Sequence, residues 1–382
     1  MSTLKVSDIT HSYPTSPRPV LTDVNLDIGE GEMVAIVGES GCGKTTLGRL
    51  ISGLYQPSEG TISFDGTDIW SLKGREKRQW RRRVQMVHQD PYGSLNPGLT
   101  LAGTLAPGLL GHKLATHRTV EKTMIDLLQQ VGLDATPTFL NRYPHQLSGG
   151  QRQRVSIARA IGLEPDLIVA DEVTSMLDVS MRVAILDLLI KFRRERGLGY
   201  AFISHDFGVV RYFARGGRIA VMFFGRIVEE GPVDEVIISP AHPYTRMLLE
   251  SIPIPDPVLA KERDTAKADR LIGTPSQQGC VFANRCPMVQ AECRTEMPPL
   301  KATPGSSGDR PRRSACLFPE RVEPLTHVKR EQEKLARRAQ QQEDSHDSVI
   351  GGGTGHDRPG DRLLAGGTGD QAGDPQSAEQ VG

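Results

Sequence analysis

The sequence has no surplus of charge of either sign: Lys plus Arg and Asp plus Glu both number 46 among its 382 residues. The whole chain therefore carries no electrostatic footprint for nucleic acid or for an anionic membrane surface, and partners have to be argued from sites. Long apolar runs are also missing. The most apolar long stretch, Leu99 to Leu110, is interrupted by Gly103, Pro107 and Gly108 and falls short of the roughly 20 residues that span a bilayer. Met1 to Pro14 lacks the charged, apolar and small-residue succession of a secretory signal, so the expected location is the cytosol, with any action at a membrane exerted through docked subunits. Cysteine is scarce and unpaired: Cys42 stands alone, and Cys280, Cys286, Cys293 and Cys316 cluster later without the C-x₂-C pairs of common zinc sites. A reducing cytosol disfavours reading that cluster as a disulfide framework.

What is present alternates. β-Branched apolar runs occur at Met33–Val37, Val84–Val87, Leu167–Ala170, Ala201–Ile203 and Ile219–Phe224, as buried parallel strands require. Helical periodicity over Val120–Val131 and Val179–Arg194 separates them, which predicts an α/β domain over 1–250. Ile62–Phe64 with the Asp65-Gly66 turn reads as antiparallel strand added to that core. A short cysteine module is expected over 251–325. From 326 to 382 the chain turns charged and then Gly- and Asp-rich, a composition that buries too little apolar surface to offset its ordering entropy, so disorder is expected. The basic run Lys73 to Arg83 reads as a solvated helix face rather than a nucleic-acid patch.

The run Met33–Val37 leads into Gly38-Glu-Ser-Gly-Cys-Gly-Lys-Thr45, a G-x-x-x-x-G-K-[ST] loop in the strand-to-helix context that the motif needs. Gly38, Gly41 and Gly43 let the backbone wrap phosphate oxygens, with the amides of Glu39, Ser40, Cys42 and Thr46 and the helix N-terminus supplying positive potential. Lys44 is placed for the β- and γ-phosphates and Thr45 for Mg²⁺. Cys42 fills an unconstrained position of the loop and reads as structural rather than as a nucleophile, although a thiol near a helix N-terminus can still react. A second half of the site is expected at Leu167-Ile-Val-Ala-Asp171-Glu172: Asp171 to orient Mg²⁺, Glu172 to act as general base on water. Leu147-Ser148-Gly149-Gly150-Gln151 just before a helix forms another anion cradle.

Together these residues resemble the ABC-type ATPases, with the motifs in order over roughly residues 4–250. That resemblance implies a P-loop NTPase nucleotide-binding domain with a RecA-like core, an antiparallel β subdomain and a helical subdomain. It implies that Ser148, Gly149, Gly150 and Gln151 serve ATP held by an opposite subunit, so one chain cannot complete its own site. It implies adenine stacking for Tyr13, contact with Mg²⁺ and the attacking water for Gln89, coupling of two sites for Asp178 and γ-phosphate contact for His205. Val173 and Met176 stand where the family usually has Pro and Ala; neither change removes a chemical group.

Gln89-Asp-Pro-Tyr-Gly-Ser-Leu-Asn-Pro97, His242-Pro-Tyr-Thr245 and the cysteine module resemble ATPase subunits of dipeptide, oligopeptide and nickel importers, the first in particular the second ATPase of a pair. The implied assembly is a heterodimer, or a homodimer, with two membrane permeases and indirectly a solute-binding protein, at the cytoplasmic face of a bacterial inner membrane. Alternatives are an importer of nickel or another solute, a soluble ABC ATPase and a non-hydrolysing subunit. The spacing C-x₅-C-x₆-C-x₂₂-C leaves a cluster, zinc and free thiols open; the resemblance implies a 4Fe–4S cluster on Cys280, Cys286, Cys293 and Cys316.

Overall fold

A computed structural model describes residues 3–251, 274–276, 278–306 and 310–323. The expected disordered tail, 326–382, lies outside the described residues, as does most of 251–273. The strands are β1 (Leu4–His11), β2 (Leu21–Ile28), β3 (Met33–Val37), β4 (Glu59–Phe64), β5 (Thr67–Asp68), β6 (Val84–Val87), β7 (Leu167–Asp171), β8 (Gly199–Ser204), β9 (Arg218–Phe223), β10 (Arg226–Pro232), β11 (Lys301–Ala302) and β12 (Arg313–Ser314). The helices are α1 (Lys44–Ile51), α2 (Gly74–Arg83), α3 (Pro91–Ser94), α4 (Leu101–Gly111), α5 (Val120–Gln130), α6 (Pro137–Leu140), α7 (Gly149–Ile161), α8 (Val179–Arg196), α9 (Phe207–Phe213), α10 (Val233–Ile238) and α11 (Pro243–Glu250).

The larger sheet has the order β11-β12-β10-β9-β3-β8-β7-β6. From β9 through β6 its neighbours run parallel, and β10, β12 and β11 continue it antiparallel. Both faces are covered, which is why its strands read as unbroken apolar runs rather than alternating ones. On β3, Met33, Ala35 and Val37 enter the core formed with α4, α5, α7 and α8, while Val34 and Ile36 enter the core beneath the second sheet. That second sheet, β2-β1-β4-β5, is antiparallel and buries one face, as the alternation on β2 shows: Leu21, Val24, Leu26 and Ile28 point inward.

Leu99–Leu110, too short for a membrane span, supplies a helix of the core. It folds into α4, which runs through Pro107. Thr100 caps it by accepting the Gly103 N–H at 3.1 Å. Leu101, Leu105 and Leu109 bury a continuous stripe, and that burial outweighs the one backbone bond that Pro107 cannot make. The basic run forms α2, whose buried residue is Trp80; Arg82 pairs with Glu164, and Arg83 pairs with Asp65 and Asp166. Among the described residues no helix is long and apolar enough to cross a membrane.

The cysteine module is stitched into the main sheet. β12 pairs with β10, Glu229 opposite Ser314 and Glu230 opposite Arg313. Glu229 is fully buried and accepts the N–H groups of Ala241 at 2.7 Å and His242 at 3.0 Å; burial pushes its carboxyl up to about 7.

Helix α1, which starts at the glycine-rich loop, lies against β7 and β8 through Gly48. A Cβ there would stand 2.7 Å from Ile203 Cδ1 and 3.1 Å from Val169 Cγ1. Gly48→Val is therefore expected to lower unfolding free energy by about 1–3 kcal/mol, since overpacking opposes any gain in helix propensity. Urea denaturation checks this; an unchanged midpoint would show that α1 can lift off the sheet without cost.

Candidate active site

The carboxyl ends of β3, β7 and β8 converge, and each delivers polar side chains to one locus, the usual place for a site on a parallel sheet. After β3 the chain turns through Gly38, Gly41 and Gly43, with φ of 156°, 80° and 106°. Gly43 caps α1 in the left-handed region and offers no side chain to its amides, so the helix N-terminus stays open to an anion. Lys44 is buried and folds back over the loop, its Nζ donating to the carbonyls of Gly38 at 2.8 Å and Glu39 at 2.9 Å. Thr45 Oγ1 donates to Asp171 Oδ1 at 3.1 Å and so ties α1 to the end of β7. Thr46 Oγ1 lies 3.1 Å from the Tyr13 hydroxyl, and Tyr13 meets His11 and Tyr55 edge-on at 5.1 and 6.0 Å.

Asp171 is 2% exposed. Burial raises its carboxyl above the usual range, and the neighbouring Glu172 charge adds to that, against the Thr45 hydrogen bond and the charges of Arg49 and Lys44. Glu172 leaves the strand at φ 45°, a left-handed conformation that costs a non-glycine residue about 1–2 kcal/mol. Several bonds hold it there. Its N–H donates to Ile203 O at 3.0 Å, and its carbonyl accepts from the Ser175 N–H at 3.0 Å and hydroxyl at 2.9 Å. The twist aims the carboxylate between two partners from other strands: Gln89 Nε2 donates to Oε2 at 2.9 Å, and His205 Nδ1 lies 3.1 Å from Oε1. With the carboxylate ionised, Nδ1 carries the proton of that contact.

A second locus forms from Ser148 to Gln151 and Asp178. Ser148 caps α7 in a reciprocal box, its Oγ accepting the Gln151 N–H at 3.3 Å and its own N–H donating to Gln151 Oε1 at 3.0 Å. Asp178 caps α8, accepting the Met181 N–H at 2.9 Å and the Ser180 hydroxyl at 2.7 Å; the Met181 N–H in particular holds its carboxyl below the usual range. The two loci of α7 and α8 touch, because a Cβ on Gly150 would fall 2.4 Å from Met181 Sδ. Met176 and Val179, beside Asp178, are 61% and 75% exposed, whereas Val173 packs into the core.

The ABC transporter family profile matches residues 21–175, and that of the oligopeptide/dipeptide transporter C-terminal region matches 228–293. The probable peptide ABC transporter ATP-binding protein y4tS of Sinorhizobium fredii is 43% identical over 310 residues, 79% of this chain and 87% of that protein. The oligopeptide transport ATP-binding protein OppF of Bacillus subtilis is 44% identical over 274 residues, 70% of this chain and 88% of that protein. The dimeric, post-hydrolysis ATP-binding cassette MJ0796 bound to ADP and Pi matches at a TM-score of 0.54 and 34% identity, covering 60% of this chain and 98% of that one.

The chain belongs to the ABC transporter family. It is an ATP-binding protein and an ATPase, built on the P-loop fold of that family.

Cys42 is buried, and burial pushes its thiol up against the opposing pull of Lys44, in keeping with a structural role for this cysteine. Cys280, Cys286, Cys293 and Cys316 do line one cavity of about 20 Å³ together with His242, Phe282 and Phe318. However, the described residues hold no group of three or more His, Cys, Asp or Glu side chains set to bind a metal ion. Burial pushes the Cys316 thiol up to about 12 and the Cys286 thiol to about 11.

Sequence reasoning missed what fixes Glu39. The Tyr244 hydroxyl accepts its N–H at 3.0 Å and Arg285 grips its carboxylate. His242-Pro-Tyr-Thr245 carried a family resemblance, yet no local pattern links it to the glycine-rich loop.

A Cβ on Gly38 would sit 2.2 Å from Met222 O and 2.8 Å from Cys42 Sγ. Gly38→Ala should therefore displace the loop and weaken ATP binding by at least about tenfold, roughly 1.4 kcal/mol. Equilibrium titration with a fluorescent ATP analogue reads this, and wild-type affinity would mean that the loop's contact with β9 is irrelevant to nucleotide.

Proposed function

We propose that this ATPase powers uptake of di- or oligopeptides by an ABC importer, working as one of two ATPase subunits beneath two membrane permeases. The observation that carries the hydrolytic half of this reading is the Glu172 carboxylate, suspended between Gln89 and His205 at the end of a buried strand. The import half is supported by identity of 43–44% to proteins named for peptide and oligopeptide transport. We take residues 1–250 as the nucleotide-binding domain and 251–325 as the importer-type cysteine module, with the solute itself selected by the permeases and a binding protein.

In the proposed cycle Lys44 and the amides of residues 38–46 hold the phosphates, and Tyr13 supports the adenine. Thr45 and Asp171, with Gln89, would hold Mg²⁺, which would supply charge neutralisation for the phosphates. Glu172 takes a proton from the attacking water, and His205 contacts the γ-phosphate while its Nδ1 steadies Glu172. Ser148, Gly149, Gly150 and Gln151 present an anion cradle to the nucleotide of the opposite subunit. Asp178 lies where the two sites meet. The exposed Met176 and Val179 support that reading, because apolar side chains in an otherwise tightly packed turn gain by being covered. A heterodimer with a related ATPase is preferred on the Gln89–Pro97 segment.

Glu172→Gln keeps the side-chain shape but removes the base. Turnover should fall about 10²- to 10⁴-fold with ATP still bound. Phosphate release and filter-retained nucleotide measure the two separately; wild-type turnover would remove Glu172 from the mechanism.

The cysteine module is proposed to hold a 4Fe–4S cluster. Four soft donors lining one cavity support it, and the raised thiols would have to lose their protons on loading. Protein purified without oxygen should be brown, with about four iron atoms per chain. Colourless, iron-free protein overturns this reading in favour of zinc or free thiols.

A further inference from the structure

Glu39 is the second residue of the phosphate loop, and its place is fixed from outside the loop. Its carboxylate is held by a fork from Arg285, Nη1 to Oε2 at 3.0 Å and Nη2 to Oε1 at 2.7 Å. Its N–H donates to the Tyr244 hydroxyl at 3.0 Å, and its carbonyl is one of the two that receive Lys44 Nζ. Every polar group of Glu39 is thus engaged, two of them by residues more than 200 positions away.

Arg285 is not a surface side chain. Its side chain is 8% exposed and lies over the rings of Phe223 and Phe282, 5.4 and 5.7 Å from their centroids. Its Nε is buried without a hydrogen-bond partner, so the charge of this guanidinium is balanced chiefly through Glu39. Tyr244 closes the other side, packed on Phe223 at 4.5 Å and Phe282 at 5.5 Å. Phe282 belongs to the cysteine module, its carbonyl accepts the Arg285 N–H at 3.0 Å, and Cys286, the residue after Arg285, lines the thiol cavity.

A bidentate pair in this setting fixes direction as well as distance. Removing Glu39 leaves the buried Arg285 guanidinium unpaired, which makes the arrangement stiff in a way that a fully exposed ion pair is not. Its stiffness acts on the loop backbone at the carbonyl that holds Lys44.

We propose that Arg285 is a positioning residue for ATP: through Glu39 the cysteine module holds the phosphate loop, and Lys44 with it, in the shape that receives the phosphates. The proposal rests on residues 38–46 being the nucleotide site. It makes the module a working part of that site.

The test uses full-length protein and four variants beside Lys44→Ala. Arg285→Gln and Glu39→Gln should each weaken ATP binding roughly tenfold, and for Arg285→Gln, which lies outside the loop, turnover at saturating ATP should change by less than about threefold. The double variant should bind no worse than either single one, because both remove the same contact. Arg285→Lys should recover part of the affinity but not the fork geometry. Thermal melts accompany each titration. If Arg285→Gln lowers the melting temperature yet both Gln variants bind ATP like wild type, the pair is only a fastener and the proposal is overturned. Additive losses in the double variant would overturn it as well. Should Arg285→Gln fail to fold, Glu39→Gln alone decides, from the loop side. Lys44→Ala must abolish binding; if it does not, the nucleotide-site reading itself is at fault, and the proposal falls with it.

Discussion

The hydrogen bond from Thr45 to Asp171 joins the first turn of α1 to the last residue of β7, and the rest of the site is arranged around that junction. It places a carboxylate at the end of a wholly buried strand, where a free charge would be strongly disfavoured. Burial raises the Asp171 carboxyl, and the charges of Arg49 and Lys44 pull it back toward the ionised form. Glu172, one residue on, is turned out of the strand at φ 45°. The pair thereby splits one strand end into two environments, a buried acid bound to the loop and a twisted acid facing Gln89 and His205. Neighbouring carboxylates with different surroundings are how one site separates a metal-holding role from proton transfer.

The sheet explains how distant segments meet there. Because β3 lies between β8 and β9, the glycine-rich loop emerges flanked by the His205 end of β8 and the Met222–Phe223 end of β9. A Cβ on Gly38 would strike Met222 O, so the loop is in backbone contact with the strand that leads on to β10 and the cysteine module. Long-range order in the chain becomes short-range order across the sheet.

Much of this was legible in the sequence. The apolar runs at Met33–Val37 and Val84–Val87 are strands with those bounds, and the Asp171-Glu172 end and its Gln89 and His205 neighbours fall together as the motif order implied. Strong periodicity and strand-to-loop context are local signals, and they survive folding. Leu99–Leu110 reads as too short and interrupted for a membrane span, and that holds; that it forms a helix through Pro107 had no local signal, because the buried leucine stripe decides it. Cys42 reads as structural despite its place near a helix N-terminus, and burial, which no local pattern reveals, favours the thiol there over the thiolate. The two-residue strands β11 and β12 were invisible, since a strand of that length has no periodicity and exists only because the edge of β10 is there to pair with it.

That last pairing bears on what the cysteine module is. Cys280, Val281, Phe282, Ala283 and Cys293 belong to the same continuous core as Val37, Phe223 and Tyr244. An appended domain with its own core would meet its neighbour through a surface that is largely polar and could move as a body. Here the module supplies apolar side chains to the nucleotide domain's core, two strands to its main sheet and, through the fork on Glu39, a charge to its phosphate loop. Removing it would expose Phe223 and Tyr244, leave the outer edge of β10 unpaired and leave the Glu39 carboxylate without its cation. The described part of the module is therefore bound to the nucleotide domain by core, ladder and ion pair at once, so a disturbance around its four thiols has a short, stiff route to Lys44.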